Sequence, residues 1–266
     1  MDRPPPIIVN RLELGIERRS VLAFLDYPTG HAPPPRIERL LGEMLVEARA
    51  LVRARGCAVL LAPAEAGEIG LEPREARALG LGLCTAGPEI EARVSELSRA
   101  GDVTRAVLLD AAGSAAAEEA ADRLSMLLAG TKGRDPGTDA PTEADTAACR
   151  VATAACRVAT PASLVATAAC RLSPGYGEWR LDWQPQIFAR LPHQALGVAL
   201  SPACLMVPRK SVSFAMWLGA RGRIGPEVYG CSRCRLGHCR YRRARNAPSA
   251  VTGATRRTIT EEILHG

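Results

Sequence analysis

A break in sequence character between residues 130 and 170 limits the folds open to this chain more than any other feature. Residues 130–145 are rich in Gly, Thr, Asp and Pro, the composition of a linker. A tandem repeat follows: TAACRVA at 146–152, TAACRVA again at 153–159, then TAACRLS at 167–173. A seven-residue period can mark a coiled coil, but large apolar a/d pairs are missing and Pro161 interrupts the pattern. The period is that of a short coding repeat expanded inside a tolerant loop, which makes Cys149, Cys156 and Cys170 incidental. An ordered fold must then be assembled from 1–129 and 171–245, with 130–170 as an insertion and 246–266 as a tail.

Both flanks carry the patterning of packed elements. A short strand or arm near Ile7 precedes a helix over Arg18–Tyr27, and Pro35 suits a helix start. Ile37, Leu40, Leu41, Met44, Leu45, Ala48, Leu51 and Val52 follow three- and four-residue spacing, which predicts a helix over Ile37–Arg55 closed by Gly56. Strands are expected at Cys57–Leu61 and at Leu79–Thr85, the second weakened by its glycines. Pro88–Arg99 reads as an amphipathic helix, Val103–Leu109 as a strand or the lead-in to a helix, and Ala115–Leu128 as a strong helix. Beyond the insertion come a short helix at Gln184–Leu191, a strand at Leu196–Leu200 and a buried strand entered through Lys210–Ser213. Aromatic residues make up only 4% of the chain against 47% apolar, so Leu, Val and Ala do most of the packing.

Several classes of protein are disfavoured. The opening MDRPPPIIVN has no apolar stretch after its charges, unlike a signal peptide, and no apolar run approaches the ~20 residues of a membrane span. Nine cysteines without export point to free thiols or metal ligands rather than disulfides, and to the cytoplasm. The net charge of +6 is concentrated at Arg233, Arg235, Arg240, Arg242, Arg243 and Arg245. With no base-reading signature beside it, this patch suits an acidic protein partner better than a nucleic acid.

The segment Arg171–Ser213 has the composition of a ligand site. Pro174, Gly175 and Gly177 surround Tyr176: glycine lets a backbone approach a ligand, proline stiffens the turn, and tyrosine offers a flat face with a hydroxyl. Arg171, four residues before the glycine, can fork onto a carboxylate. The same residues also suit a tight turn with a surface arginine. Further on, Cys231-x2-Cys234-x4-Cys239 has metal-clasping spacing; its thiolates suit zinc, with His238 or an outside ligand as the fourth, an iron–sulfur cluster with one open iron, or free thiols. Cys57, Cys84 and Cys204 read as small buried hydrophobes, and His31, His193, His238 and His265 as surface residues.

The order of these motifs resembles the activation domain of vitamin B12-dependent methionine synthase and its stand-alone relatives. Arg171, Gly175 and Tyr176 are followed by a short helix and then by Leu200, Ser201, Met206, Pro208, Ser211, Val212 and Ser213. VLAFLDYP at 21–28, LCTAGPEIEARVSEL at 83–97 and VLLDAAGSAAAEEAAD at 107–122 extend the likeness over residues 8–245, the insertion apart. The resemblance implies a single α+β domain with a central antiparallel sheet flanked by helices. It implies an accessory methyltransferase component that binds S-adenosylmethionine in a shallow groove. There it supports return of Co(II) cobalamin, carried by a partner methionine synthase or other corrinoid protein, to methylcobalamin at the expense of one electron from a donor. Arg171 would meet the methionyl carboxylate, Pro174, Gly175 and Tyr176 would line the groove, and Glu118, or Glu119 in the neighbouring register, would face the amine. The chain departs from the pattern at Phe214, where the family has Gly after S-V-S, and offers no tyrosine pair in 215–228. No D-x-H-x-x-G motif for cobalamin is present. An alternative reading keeps the fold as a non-catalytic binding module with a metal or redox role for the cysteines.

Overall fold

The computed structural model describes residues 4–27, 31–130, 171–176 and 179–218. Alternating apolar residues from before residue 131 and after residue 170 meet in one sheet. Its strands are β1 (Ile7–Val9), β2 (Arg55–Leu61), β3 (Ala78–Thr85) and, after a short ribbon of β4 (Ala199–Leu200) with β5 (Met206–Val207), β6 (Ser211–Leu218). The order is β1-β2-β3-β6, and each neighbouring pair is antiparallel. The last strand, from after residue 170, completes a sheet begun by the first 130 residues.

The period-two alternation divides the core. Cys57, Val59, Leu61, Leu79, Leu81, Leu83, Ala215 and Trp217 face one side, and Ala58, Cys84, Phe214, Met216 and Leu218 the other. The second face takes helix α4 (Val103–Gly130), whose Ala120, Ala121, Leu124 and Leu128 lie on it. Small residues on β2 and β3 make room for that helix: a methyl at Gly56 would stand 3.1 Å from Leu124. The β3 glycines, a weakness by propensity, are the side of the strand on which larger residues from other elements rest.

Outside α4 pack α1 (Arg18–Phe24), α2 (Pro35–Leu51) and α3 (Glu89–Arg99), burying Val21, Leu41, Met44, Leu45, Ile90 and Leu109 together. On the opposite face of the sheet lie short turns of helix at Pro63–Ile69, Leu181–Trp183, α5 (Gln184–Phe188) and His193–Leu196. Trp179 is buried there and donates from Nε1 to the Ile69 carbonyl at 2.7 Å. Gly70 adopts φ +74 beneath Trp183, where any Cβ would stand 2.2 Å from the indole nitrogen. The result is an α+β domain with an antiparallel sheet between two layers. Among the described residues no helix is long and apolar enough to cross a membrane.

Four expectations need correction. Helix α2 ends at Leu51, not at Arg55, because Val52 turns extended and Arg53 donates its N–H to Ala86 instead. Gly56 therefore sits inside β2, opposite Cys84. Of the two readings left open for Val103–Leu109, the helix lead-in holds: these residues are the first two turns of α4, a single 28-residue helix. Leu196–Leu200 is mostly not a strand: a 3-10 turn occupies His193–Leu196, and only Ala199–Leu200 pair. His193 is half-buried rather than a surface residue; its Nδ1 lies 2.7 Å from the Val198 carbonyl, closing that turn.

Candidate functional site

Leu172 fixes where the site lies. It exchanges backbone hydrogen bonds with Ala215, N–H to carbonyl at 2.9 and 2.8 Å, which adds a short antiparallel bridge to the outer edge of β6. Leu172 then packs with Ala215 on the face away from α4, so its neighbour Arg171 is directed to the α4 face. There the Arg171 guanidinium donates from Nη2 to Glu118 Oε2 at 2.6 Å and lies 3.3 Å from Asp122 Oδ1. Glu118 and Asp122 are one helical turn apart on α4 and so face the same side.

The arginine is held on two further sides. Its guanidinium carbon stands 5.6 Å from the centroid of the Phe214 ring, within cation–π range. Phe214 is fully buried and rests over Gly82 of β3, its partner in the ladder. The side chain of Arg171 is 12% exposed, against 35% for Glu118 and 41% for Asp122. Its second terminal nitrogen, Nη1, is buried without a hydrogen-bond partner. A buried donor left unpaired costs about 1–3 kcal/mol.

The structure separates the two registers left open on α4. Glu119 points away from Arg171 and clamps the chain before α1, accepting from the backbone N–H groups of Gly15 and Ile16 at 2.8 Å each. Ile16, at φ +42, is a branched residue in the left-handed region, and Arg49 holds the same bend by donating to the Gly15 and Ile16 carbonyls. Glu118 is the carboxylate at the arginine.

Below the ion pair, Cys84 is buried with its Sγ 3.7 Å from the carbonyls of Ala117 and Val212. Burial pushes its thiol up to about 12, the Arg171 charge working the other way. Cys57, on the opposite face of the sheet, is pushed up to about 12 by burial alone. Cys204 differs from the expectation: it is half-exposed, in the turn between β4 and β5 at φ +58.

The remaining candidates lie along the turn that follows Leu172. Pro174 is buried, Gly175 adopts φ +89 and donates to the Trp179 carbonyl at 2.7 Å, and Tyr176 is 46% exposed. Gly175 lines an open groove of about 570 Å³ with Trp179, Leu181, Pro202 and Cys204, flanked by Arg180 and Asp182. Arg171 is not among that groove's lining residues, so the cation and the turn are close in sequence but present two surfaces. Sequence reading missed Asp122, although its four-residue spacing from Glu118 was a usable signal. It also missed Lys210, whose Nζ lies 2.8 Å from both Asp110 and Ser114 on α4 and whose N–H donates to Glu91 at 2.6 Å. Cys231, Cys234, Cys239 and His238 lie outside the described residues, as do the first two repeat copies; among the described residues no group of three side chains could hold a metal ion.

No protein-family model matches the chain, and no curated protein matches it. Among solved structures, the fold is similar to the crystal structure of the MetH reactivation domain bound to AdoHcy, with a TM-score of 0.53 and 16% identity. The likeness covers 83% of this chain and 80% of that one, and at this identity it establishes a shared fold.

Proposed function

We propose that this chain is an activation-like domain that binds S-adenosylmethionine and serves as a separate reactivation component for a cobalamin-carrying methionine synthase or another corrinoid protein. The observation that carries the reading is Arg171: one terminal nitrogen holds Glu118 while the other is buried with no acceptor. A guanidinium in that state can take a ligand carboxylate without surrendering its protein partner once the groups covering the free nitrogen give way. The same constellation offers Glu118 for the ligand's ammonium, whereas Gly175 and Tyr176, candidates by resemblance, lie on the turn that presents a separate surface. The fold shared with a reactivation domain bound to AdoHcy supports the choice of ligand.

S-adenosylmethionine, when bound, supplies the methyl group, and an electron donor supplies the reducing equivalent. The part played by this chain is to bind and orient. Arg171 and Glu118 anchor the two charged ends of the amino-acid moiety, while Leu172 and Phe214 keep Arg171 rigid. Cobalamin arrives on the partner as substrate, in the cytoplasm. In the same reading Cys231, Cys234 and Cys239 are candidates for an iron–sulfur cluster or zinc, or stay free thiols, and the arginines among and after them in sequence would dock an acidic partner.

The test is calorimetric titration of S-adenosylmethionine into anaerobically purified wild type, Arg171→Ala and Arg171→Lys, with melting curves confirming that each is folded. Saturable binding in the wild type, weakened more than about tenfold by alanine, is expected for the loss of a charge-assisted contact of about 1.5–3 kcal/mol. Absence of saturable binding in the wild type would overturn the reading and leave the fold as a binding module without this ligand.

A further inference from the structure

We infer that Phe214 is the positioning residue for Arg171: its ring, rather than its bulk, holds the guanidinium in register with Glu118. The functional consequence rests on the reading that Arg171 binds the ligand's carboxylate; the contact itself does not.

Three observations converge on the ring. The guanidinium carbon is 5.6 Å from the ring centroid, and the arginine is mostly buried with Nη1 unpaired. A cation in that setting needs compensation on the side where no carboxylate reaches it, and an aromatic face supplies it. Phe214 cannot itself swing aside. It is fully buried, and a Cβ at Gly82 would stand 2.3 Å from its Cζ, so the ring is seated directly on the backbone of β3. The pair Gly82–Phe214 is in register across β3 and β6, and Leu172 bonds to the next residue, Ala215. Glycine on one strand, phenylalanine on the next and arginine at the edge therefore form one stack across the sheet. A Gly at 214, as the resembling motif carries, would provide no such face.

The experiment has two arms. In the first, a stability cycle on the full chain combines Arg171→Met with Phe214→Leu. Non-additive destabilisation is expected, the Leu substitution costing less once the guanidinium is gone. Strict additivity overturns the inference whatever the ligand does. In the second, dissociation constants are measured for S-adenosylmethionine and for its decarboxylated analogue. Phe214→Leu should weaken the first about threefold to tenfold and the second less than twofold, since only the first engages Arg171. Equal losses for both ligands would mean that Phe214 supports the fold alone, and would overturn the positioning role. If neither ligand binds the wild type while the cycle still couples, the ligand reading fails and the Phe214–Arg171 contact stands.

Discussion

Adjacent glutamates on α4 should behave as two unrelated residues, and the difference can be worked from their partners. Glu119 is 22% exposed and accepts two backbone N–H bonds at 2.8 Å, that of Gly15 at the surface and that of Ile16 partly buried. A hydrogen bond to a charged group contributes about 1.5–3 kcal/mol when buried, and the exposed one is worth about 1 or less. Release of the bend at Ile16 returns part of that, since a branched residue with positive φ stores about 1–3 kcal/mol. The net cost of Glu119→Ala is then about 2 kcal/mol, which for a domain of this size lowers Tm by about 4–8 °C. Glu118 is more exposed and holds a side chain that keeps Asp122 nearby, so Glu118→Ala should cost about 0.5–1 kcal/mol. Thermal and urea unfolding of the two variants, with amide exchange at Gly15 and Ile16, is the assay. Accelerated exchange at those two amides is expected only in Glu119→Ala, and weakened ligand binding only in Glu118→Ala. Equal destabilisation by both, or faster exchange at Gly15 in Glu118→Ala, would refute the division of roles.

Three further outcomes follow from the packing. Gly82→Ala should be destabilising by about 1–3 kcal/mol or more despite alanine's better strand propensity, because its methyl meets the immobile Phe214 ring; the double variant Gly82→Ala/Phe214→Leu should recover part of the loss in denaturant titrations. Burial holds the thiols of Cys57 and Cys84 at about 12, above their ordinary value of 9.0, so at pH 8 both should resist iodoacetamide while Cys204 reacts, as read by peptide mapping. In the unfolded chain those thiols ionise near their ordinary value, and in the fold they do not. Their contribution is therefore intact below about pH 9 and is lost as pH rises toward 12, which alkaline melting curves would show as a steepening fall in Tm.

Local pattern was enough for most of the elements. The apolar spacing of α2, the alanine-rich run of α4 and the alternation of β2, β3 and β6 each report a face that must be buried, and burial is what those elements do. Motif chemistry marked Arg171, Gly175 and Tyr176 as candidates, and Glu118 entered through the resemblance. Local pattern misjudged boundaries where bonds outside the element decide: Arg53 leaves the expected helix to bond Ala86, and Val198 leaves the expected strand to bond the His193 carbonyl. It also undervalued the glycines of β3, whose purpose is visible only when Phe214 is placed over Gly82. The choice between Glu118 and Glu119 was beyond the sequence for the same reason. Adjacent identical residues on a helix differ by about 100° in direction, and only the positions of the β6 edge and the N-terminal bend decide which one meets a guanidinium and which one meets a backbone. Residue types and their periods thus determined the layers and the candidate chemistry. Which side chains share a charge, and which merely hold the chain in place, was decided by contacts between segments more than 50 residues apart.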